Sequence, residues 1–445
     1  MTRLTFHFLR VSDRLTHLSV MLLLATCLME TVQAAEPDLP WPFRNGPTMN
    51  GHVAAADAKG LPTSFDENAG RNVRWKVTLE GFGHSAPIIG DRRIWLTSAT
   101  EDGHQQFVDC FHADTGDVLH RRLLFENPEP EPLNNKVNTY ASPSCALESD
   151  AVYVHFGSYG TARLNPETAD VVWKRTDIQC RHFRGPGSSP ILFGDLLILT
   201  FDGVDADFLI ALNKATGETV WRTERSTDYG DLDENGKPQR DGDLRKAYST
   251  PGLIEVNGRT QVVSMGSRAG FGYDALTGKE IWGIRHDDFN AASPPCFFEN
   301  LAIMHSGTRA KLFAVELNET TKGDVTDSHI RWTREKSNSK LAAPLLIGNR
   351  LFMISDTGVV NCVDAATGEE IWKDRLGGTH VASPITANGV IWFCSEEGEL
   401  TAVKAADQFE IIAQSQLTEG MRASLSAAYG RLYLRTFRHL YCIGQ

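Results

Sequence analysis

The sequence has few of the features that mark nucleic-acid-binding or membrane-spanning proteins. Its 445 residues contain 44 lysines and arginines against 56 aspartates and glutamates, which gives a formal charge of −12. This acidic balance argues against general nucleic-acid binding, which needs a basic surface against the phosphates. No segment after residue 34 has the ~18 uninterrupted apolar residues that a transmembrane helix requires, so we expect no membrane span.

Residues 1–34 are predicted to be a secretory signal peptide. Three arginines give a basic start, Leu18–Met29 has the length of an apolar signal core, and Val32–Ala34 fits the small-x-small cleavage rule. We therefore expect an exported protein, periplasmic or extracellular. A lipoprotein anchored at Cys27 is a minor alternative, because Thr26 stands where a lipidation signal usually has a smaller residue.

Cysteine is also scarce. Seven cysteines remain after residue 34, and no two of them are adjacent. An odd number in a large exported domain argues against a disulfide framework. Cys110, Cys362 and Cys442 occupy matching strand positions of different repeats, which should lie too far apart to bridge. Most of the thiols should therefore be free.

What the sequence does have is one repeated unit. A strand runs into the turn Asp364-Ala365-Ala366-Thr367-Gly368 and out into a second strand that ends at Trp372. The aspartate can accept hydrogen bonds from the turn amides, and the glycine supplies the positive φ that a tight turn needs. Similar units end at Trp173, Trp221 and Trp282. Such self-similarity indicates a repeat architecture.

Each unit opens with a serine or alanine shortly before a proline, and the openings are 40 to 61 residues apart. These prolines are Pro87, Pro143, Pro190, Pro251, Pro294, Pro344 and Pro384. An eighth opening, Ala423–Leu425, lacks the proline, and the unit that follows is one strand short. The orphan strand at 73–77 can supply it and remove two exposed edges. We therefore predict an all-β fold, an eight-bladed β-propeller of four-stranded antiparallel blades, with the N-terminal strand completing the last blade. Residues 35–72 are interpreted as an N-terminal arm and residues 73–445 as the propeller.

These repeats resemble the pyrroloquinoline-quinone (PQQ)-like β-propeller family over residues 73–445, and Trp41–Gly46 resembles the opening of secreted bacterial members. The resemblance implies that tryptophans brace neighbouring blades. The tryptophans in question are Trp75, Trp173, Trp221, Trp282, Trp332 and Trp372. It gives no activity by itself, because one fold hosts many functions.

Polar residues shortly before the opening prolines should lie near the mouth of the central channel. With adjacent loop residues, the predicted funnel set is His84, Tyr140, Arg184, Lys246, Tyr248, Asn290, Lys340, His380 and Arg422. Converging polar groups can hold a polar or anionic ligand. Four of these residues, His84, Lys340, His380 and Arg422, come from consecutive blades and predict a sector of positive charge. Its histidines should strengthen anion binding below about pH 6.5.

An acidic loop offers a second candidate site. Asp231, Asp233 and Asn235 match the first half of a calcium loop, but Gly242 stands where the final bidentate glutamate is expected. Calcium binding is therefore an open alternative to a solvated loop. The pair Cys180 and His182 does not make a zinc site alone.

The sequence is compatible with two classes of function. The first is an exported binding or scaffold protein, a monomer that engages an anionic ligand or a protein partner through its loop face and funnel. The second is an enzyme, either a quinoprotein-like oxidoreductase that uses PQQ and calcium or a hydrolase. PQQ enzymes of this superfamily hold the cofactor between a tryptophan and two adjacent bonded cysteines, and this chain has no such cysteine pair. We therefore expect no PQQ.

Overall fold

A ring of eight small antiparallel sheets makes up the computed structural model, which describes residues 39–134, 137–335 and 339–445. The predicted signal peptide, the alternative anchor at Cys27 and residues 35–38 of the arm lie outside the described residues. The prediction of an all-β, eight-bladed propeller is confirmed.

The first four blades follow the chain in order after the first strand, β1 (Val73–Thr78). Blade 1 comprises β2 (Ile88–Gly90), β3 (Arg93–Ala99), β4 (Gln105–His112) and β5 (Val118–Glu126). Blade 2 comprises β6 (Ala146–Glu148), β7 (Ala151–His155), β8 (Thr161–Leu164) and β9 (Val171–Arg175). Blade 3 comprises β10 (Ile191–Phe193), β11 (Leu196–Asp202), β12 (Asp207–Asn213) and β13 (Thr219–Glu224). Blade 4 comprises β14 (Gly252–Val256), β15 (Arg259–Met265), β16 (Ala269–Asp274) and β17 (Glu280–Arg285).

The remaining blades repeat this meander. Blade 5 comprises β18 (Cys296–Phe298), β19 (Leu301–His305), β20 (Leu312–Glu316) and, after the short β21 (Gly323–Asp324), β22 (Ile330–Arg334). Blade 6 comprises β23 (Leu345–Ile347), β24 (Arg350–Ile354), β25 (Val359–Asp364) and β26 (Glu370–Arg375). Blade 7 comprises β27 (Ile385–Ala387), β28 (Val390–Cys394), β29 (Glu399–Lys404) and β30 (Ile411–Gln416). Blade 8 comprises β31 (Ser426–Ala428), β32 (Arg431–Arg435), β33 (His439–Ile443) and β1.

The ring closes as predicted, through β1. This strand pairs antiparallel with β33, with Val73 opposite Ile443 and Thr78 opposite His439. The two ends of the chain thus share one sheet, and neither β1 nor β33 is left as an unpaired strand.

Blade 4 differs from the predicted four strands. The insertion after β20 places β21 parallel to β17, with Gly323 opposite Trp282, and makes a five-stranded sheet. The sequence showed an insertion here but not that it would pair with the preceding blade.

Tryptophans on outer strands contact the turn of the following blade. In the five junctions of this kind, an indole Nε1 donates to a turn carbonyl: Trp75 to Ala113 (3.2 Å), Trp173 to Lys214 (3.0 Å), Trp221 to Ala275 (3.2 Å), Trp332 to Ala365 (3.2 Å) and Trp372 to Ala406 (2.9 Å). The turn glycine lies against the ring in four of them. Gly368, for example, has φ 73° and a Cβ there would lie 2.7 Å from the Trp332 ring, so both the turn and the contact require glycine.

Two junctions use other side chains. His120 replaces the tryptophan at the junction of blades 1 and 2, and its Nε2 lies 2.9 Å from the carbonyl oxygen of Glu167. Trp282 is fully buried and donates to Gln261 of its own blade at 2.8 Å. Blade 5 lacks the Thr-Gly turn that would have received this indole, so Trp282 packs in a core that includes Met304 and Phe313 of blade 5.

Hydroxyl groups of the repeated openings link the blades nearer the channel. At five junctions a Ser or Thr hydroxyl accepts an amide hydrogen from the preceding blade: Ala86 to Ser144, Ser144 to Ser189, Ser189 to Thr250, Ala343 to Ser383 and Ser383 to Ser424, all at 2.9–3.0 Å. At the other three a hydroxyl donates to a carbonyl of the next blade: Ser249 to Ser293, Ser293 to Ala342 and Ser426 to Pro87. The recurring serines therefore have a structural role at every junction.

The described part of the arm, residues 39–72, crosses one face of the ring. It contains the short helix α1 (Ala55–Ala58), and a 3₁₀ turn at Gln239–Gly242 lies elsewhere, in the loop after blade 3. Backbone hydrogen bonds join the arm to blades 1, 2, 7 and 8, for example from Trp41 to Ile89 and from Val53 to Thr386, both at 3.0 Å. Trp41 is fully buried against blade 1. The arm thus carries Arg44 to the central channel.

Over the described ranges, no helix has both the length and the apolar character needed to cross a membrane.

All seven cysteines after residue 34 are free in the structure; six are buried and Cys296 is half-buried. This confirms the prediction that no disulfide framework holds the ring.

Replacing Trp282 with alanine should lower the free energy of unfolding by about 3–5 kcal/mol, because a fully buried indole is lost and Gln261 loses its partner. Trp372→Ala should cost less, since that indole is only half-buried. Urea denaturation measures both. The control is Leu276→Ala, whose side chain is 65% exposed, and it should leave stability unchanged. Equal free energies of unfolding for Trp282→Ala and the control would contradict the packing role of Trp282.

Thiol titration of the chain from residue 39 should find seven reactive thiols in denaturant without reductant, and slow reaction of the folded protein, because the thiols are shielded. A denatured count of three or fewer would mean that disulfides form.

Candidate functional site

A cavity of about 190 Å³ lies in the central channel, where the segments before the first strands converge. Five residues of the predicted funnel set line it, namely His84, Arg184, Tyr248, Asn290 and Arg422. They come from the openings of blades 1, 3, 4, 5 and 8, so the repeat does direct these side chains toward one axis.

The other four predicted funnel residues do not line this cavity. Tyr140 is buried and donates to the carbonyl of Glu131 at 3.0 Å. Lys246 is buried in an ion pair with Asp243 and lies 4.5 Å from the Phe183 ring centre. Lys340 pairs with Asp356 at 2.9 Å. The ring nitrogens of His380 lie 3.1 Å and 2.9 Å from the carbonyl oxygens of Cys394 and Gly377.

The cavity also contains residues that sequence reasoning missed: Arg44, Asn138, Ser142, Ser144 and Ser424. Arg44 belongs to the Trp41–Gly46 segment, which was recognised as a motif but not as part of the channel. The route of the arm across the ring decides its position, and no repeat pattern encodes that route.

Arg44 is a cation without a matching carboxylate. Burial lowers the pKa of its guanidinium to about 10. Its guanidinium donates a hydrogen bond to the hydroxyl of Ser383 at 3.4 Å, and it forms no ion pair with the described residues. An arginine in this setting remains charged at neutral pH and presents its remaining N–H donors to the cavity.

Arg184 is the second such cation. Its side chain makes no hydrogen bond or ion pair with the described residues, and its buried Nε has no partner. The loop that carries it bends back through a hydrogen bond from the Arg184 amide to the His182 carbonyl at 2.7 Å. Two arginines from different segments therefore face one small cavity.

The predicted positive sector is largely neutralised. Arg422 lines the cavity but pairs with Glu396 at 2.7 Å, and it also donates to the carbonyl of Val137. Lys340 is balanced by Asp356. The unbalanced positive charge lies instead on Arg44 and Arg184. The site is therefore cationic, but not through the positive sector that the sequence predicted.

His84 does not gain charge near pH 6.5, contrary to the sequence-based expectation. Burial, together with the positive charges of Arg422 and Arg435, lowers its pKa to about 3. Burial also lowers the pKa of His380. The His84 imidazole therefore stays neutral across the physiological range, and the lowered pKa of His380 also acts against the proposed pH switch.

Neutral polar groups complete the cavity wall. The Tyr248 hydroxyl donates to the His182 carbonyl at 3.3 Å, and Ser142 bonds to the side chain of Asn138. The buried Oδ1 of Asn290 has no partner among the described residues. The wall thus offers donors and acceptors beside the two arginines, which suits a polar anion.

The predicted calcium residues do not converge. Asp231 is buried and receives two hydrogen bonds from Arg245, at 2.5 and 3.1 Å. Asp233 accepts the amides of Asn235 and Lys237 within its own turn. Within the described ranges, no three His, Cys, Asp or Glu side chains are grouped so that they could hold a metal ion.

The Cys180–His182 loop shows no sign of an activated nucleophile. Burial raises the pKa of the Cys180 thiol well above its usual value and lowers that of His182 to about 4. A buried, neutral thiol is unreactive. The loop serves instead to carry Arg184 to the cavity.

Sequence comparison matches a family model described as outer membrane protein assembly factor BamB, over residues 31–182, 205–348 and 324–410. A relative of that name from Bordetella pertussis is 23% identical over 368 residues, which is 81% of this chain and 82% of the relative. A relative from Legionella pneumophila is 21% identical over 221 residues, 49% of this chain and 51% of the relative. The chain thus spans about half the length of the first curated relatives it matches.

Solved structures with the same fold include a BamB protein and a quinohemoprotein dehydrogenase. BamB from Moraxella catarrhalis superposes with a TM-score of 0.57 at 14% identity, over 84% of this chain and 97% of that one. The quinohemoprotein alcohol dehydrogenase from Comamonas testosteroni gives a TM-score of 0.66 at 13% identity, over 91% of this chain and 80% of that one. Identities this low show the fold alone.

Proposed function

The chain belongs to the β-propeller family of the outer membrane protein assembly factor BamB, and we propose that it is an exported, monomeric binding protein that takes an anionic group into its central cavity. Arg44 and Arg184 are the observation that carries this proposal. They line one cavity of about 190 Å³, and neither forms an ion pair with a described carboxylate.

Two cations brought to one cavity repel each other, and both are half-buried. Their presence costs stability unless an opposite charge is bound, because a desolvated charge needs a partner. A carboxylate or an oxyanion can accept the N–H donors of both guanidinium groups, and planar guanidinium suits both. Arg422, which Glu396 holds in place, supplies a further donor surface at the cavity wall.

The relatives support a binding role in the cell envelope. Their names describe outer membrane assembly factors, and the predicted signal peptide agrees with export. An acidic side chain or a terminal carboxylate of an envelope protein has the chemistry that the cavity accepts.

The alternative of a PQQ-dependent oxidoreductase does not fit the residues of the cavity. The resemblance requires two bonded cysteines, a tryptophan, and carboxylates for a calcium ion. Among the described residues, the side chains that line the cavity include no cysteine, tryptophan or carboxylate. The donor set suits an anion directly and provides no ligands for a divalent cation.

Sulfate and an acetylated, glutamate-rich peptide are suitable anionic probes for calorimetry. Wild-type protein should bind at least one of them, and Arg44→Gln and Arg184→Gln should each weaken binding at least tenfold, because each removes one uncompensated charge. Arg285→Gln is the matched control, since this arginine is 78% exposed and pairs with Asp324. Its affinity should equal that of wild type. No binding of either probe, or equal loss in the control, would contradict the proposal.

The His84 imidazole should add no change in sulfate affinity between pH 5.5 and pH 8. His84 has its pKa lowered to about 3 by burial and gains no proton above pH 5, while Arg44 stays charged. Sulfate keeps its charge over this range. The group that titrates near the cavity is Lys246, because burial and the charge of Arg184 lower its pKa to about 7. Calorimetry of His84→Gln should therefore give the same ratio of affinities at the two pH values as wild type. A gain at pH 5.5 that His84→Gln removes would mean that this imidazole titrates after all.

A further inference from the structure

A second cleft, distinct from the central channel, lies between the loops of blades 3 and 4. It has a volume of about 640 Å³ and is built from the loop between β11 and β12, the start of β12, the end of β13 and the loop that follows β13. None of its lining residues lines the central cavity.

One buried guanidinium at the floor of this cleft lies near two buried carboxyl groups but pairs with only one of them. Arg225 donates to both oxygens of Asp202, at 2.6 and 2.7 Å, and to Ser264 at 2.8 Å. Asp207 stands directly opposite Asp202 on the neighbouring strand and forms no ion pair with the described residues. With both carboxyl groups ionised, the floor would lack one positive charge.

Four buried polar atoms of this cleft have no partner within hydrogen-bond geometry among the described residues: Asp207 Oδ1, Arg225 Nη1, Thr227 Oγ1 and Tyr229 OH. Tyr229 OH lies close enough to the Asp207 carboxyl for each group to shift the pKa of the other. Each of these residues except Thr227 is at least nine-tenths buried. Buried polar atoms in folded proteins normally have partners, so several orphans in one cleft indicate a bound polar group.

The rim of the cleft is also short of positive charge. Arg245, its other arginine, is already held by Asp231. Asp205 and Asp228 form no ion pairs with the described residues; they accept the backbone amides of Arg181 and Gly230. Floor and rim together favour a cation over an anion.

We propose that this cleft binds the guanidinium group of an arginine-containing peptide segment, with Asp207 as its carboxylate partner. Guanidinium carries five N–H donors, which match the acceptors Asp207 Oδ1, Thr227 Oγ1 and Tyr229 OH. The orphan Nη1 of Arg225 would donate to a backbone carbonyl of the same peptide.

The state of Asp207 without a ligand gives the site a measurable signature. Burial and the charge of Asp202 raise the pKa of Asp207 to about 8, against the opposing effects of Arg225, Tyr229 and Arg245. The carboxyl is therefore mostly protonated at pH 6.5, and a bound cation must displace that proton. Affinity should rise as pH rises toward 9.

The probe is N-acetyl-arginine amide, whose charge is confined to the guanidinium, and the ligand control is the neutral isostere N-acetyl-citrulline amide. Calorimetry should show binding of the arginine compound that is at least tenfold tighter at pH 9 than at pH 6.5. About one proton should be released at pH 6.5, measured in buffers of different ionisation enthalpy. The citrulline compound should bind at least tenfold more weakly at pH 9.

Asp207→Asn should weaken the arginine compound at least tenfold at pH 9 and abolish proton release. Asp241→Asn is the matched control, because it removes an exposed carboxylate of the same loop that pairs with Arg181 outside the cleft. It should behave as wild type. Equal binding of the two compounds to wild type, or binding without proton release at pH 6.5, would overturn the proposal whether or not the variant folds.

Discussion

The contact between neighbouring blades is the constraint on which the rest of the structure depends. Each blade alone has two faces that would be exposed, and only stacking around a closed ring buries both. The stacking is fixed at two radii. Indoles such as Trp332 hydrogen-bond to the next turn at the outside, and hydroxyls such as Ser189 bond across each junction near the channel. The strand β1 extends the same arrangement through the closure, since Trp75 bonds to the turn of blade 1.

The Ser and Thr hydroxyl hydrogen bonds at each junction hold the first strands of neighbouring blades together. The segments just before these strands therefore face the channel. This is how side chains from blades 1, 3, 4, 5 and 8 come to line one cavity. The scaffold has to be rigid for two uncompensated arginines to remain close. A flexible wall would let Arg184 turn away to solvent or to a carboxylate.

The two candidate sites have opposite charge, and each contains charged groups that lack an oppositely charged partner. In the central cavity two guanidinium groups lack carboxylates, and in the cleft between blades 3 and 4 the buried carboxylate Asp207 lacks a cation. Arg225 and Asp202, by contrast, form a buried ion pair. Both imbalances lie in cavities, where a ligand can correct them. A binding protein with two such sites could hold two different segments of a partner, or one zwitterionic surface.

The sequence alone determined the ring. Eight openings, the recurring turn and one orphan strand specify the number of blades and the closure, because each repeat carries its own hairpin signals and its own contact to the next blade. The same local logic predicted free cysteines and directed His84, Arg184, Tyr248, Asn290 and Arg422 toward the channel. Sequence reasoning failed for side chains whose contacts or ion-pair partners lie outside their own repeat motif. Only the tertiary structure brought Arg44 into the cavity, 339 residues away from its contact Ser383, and only it neutralised Arg422 and Lys340. Burial, which no local pattern encodes, kept His84 neutral and left Asp207 without a partner.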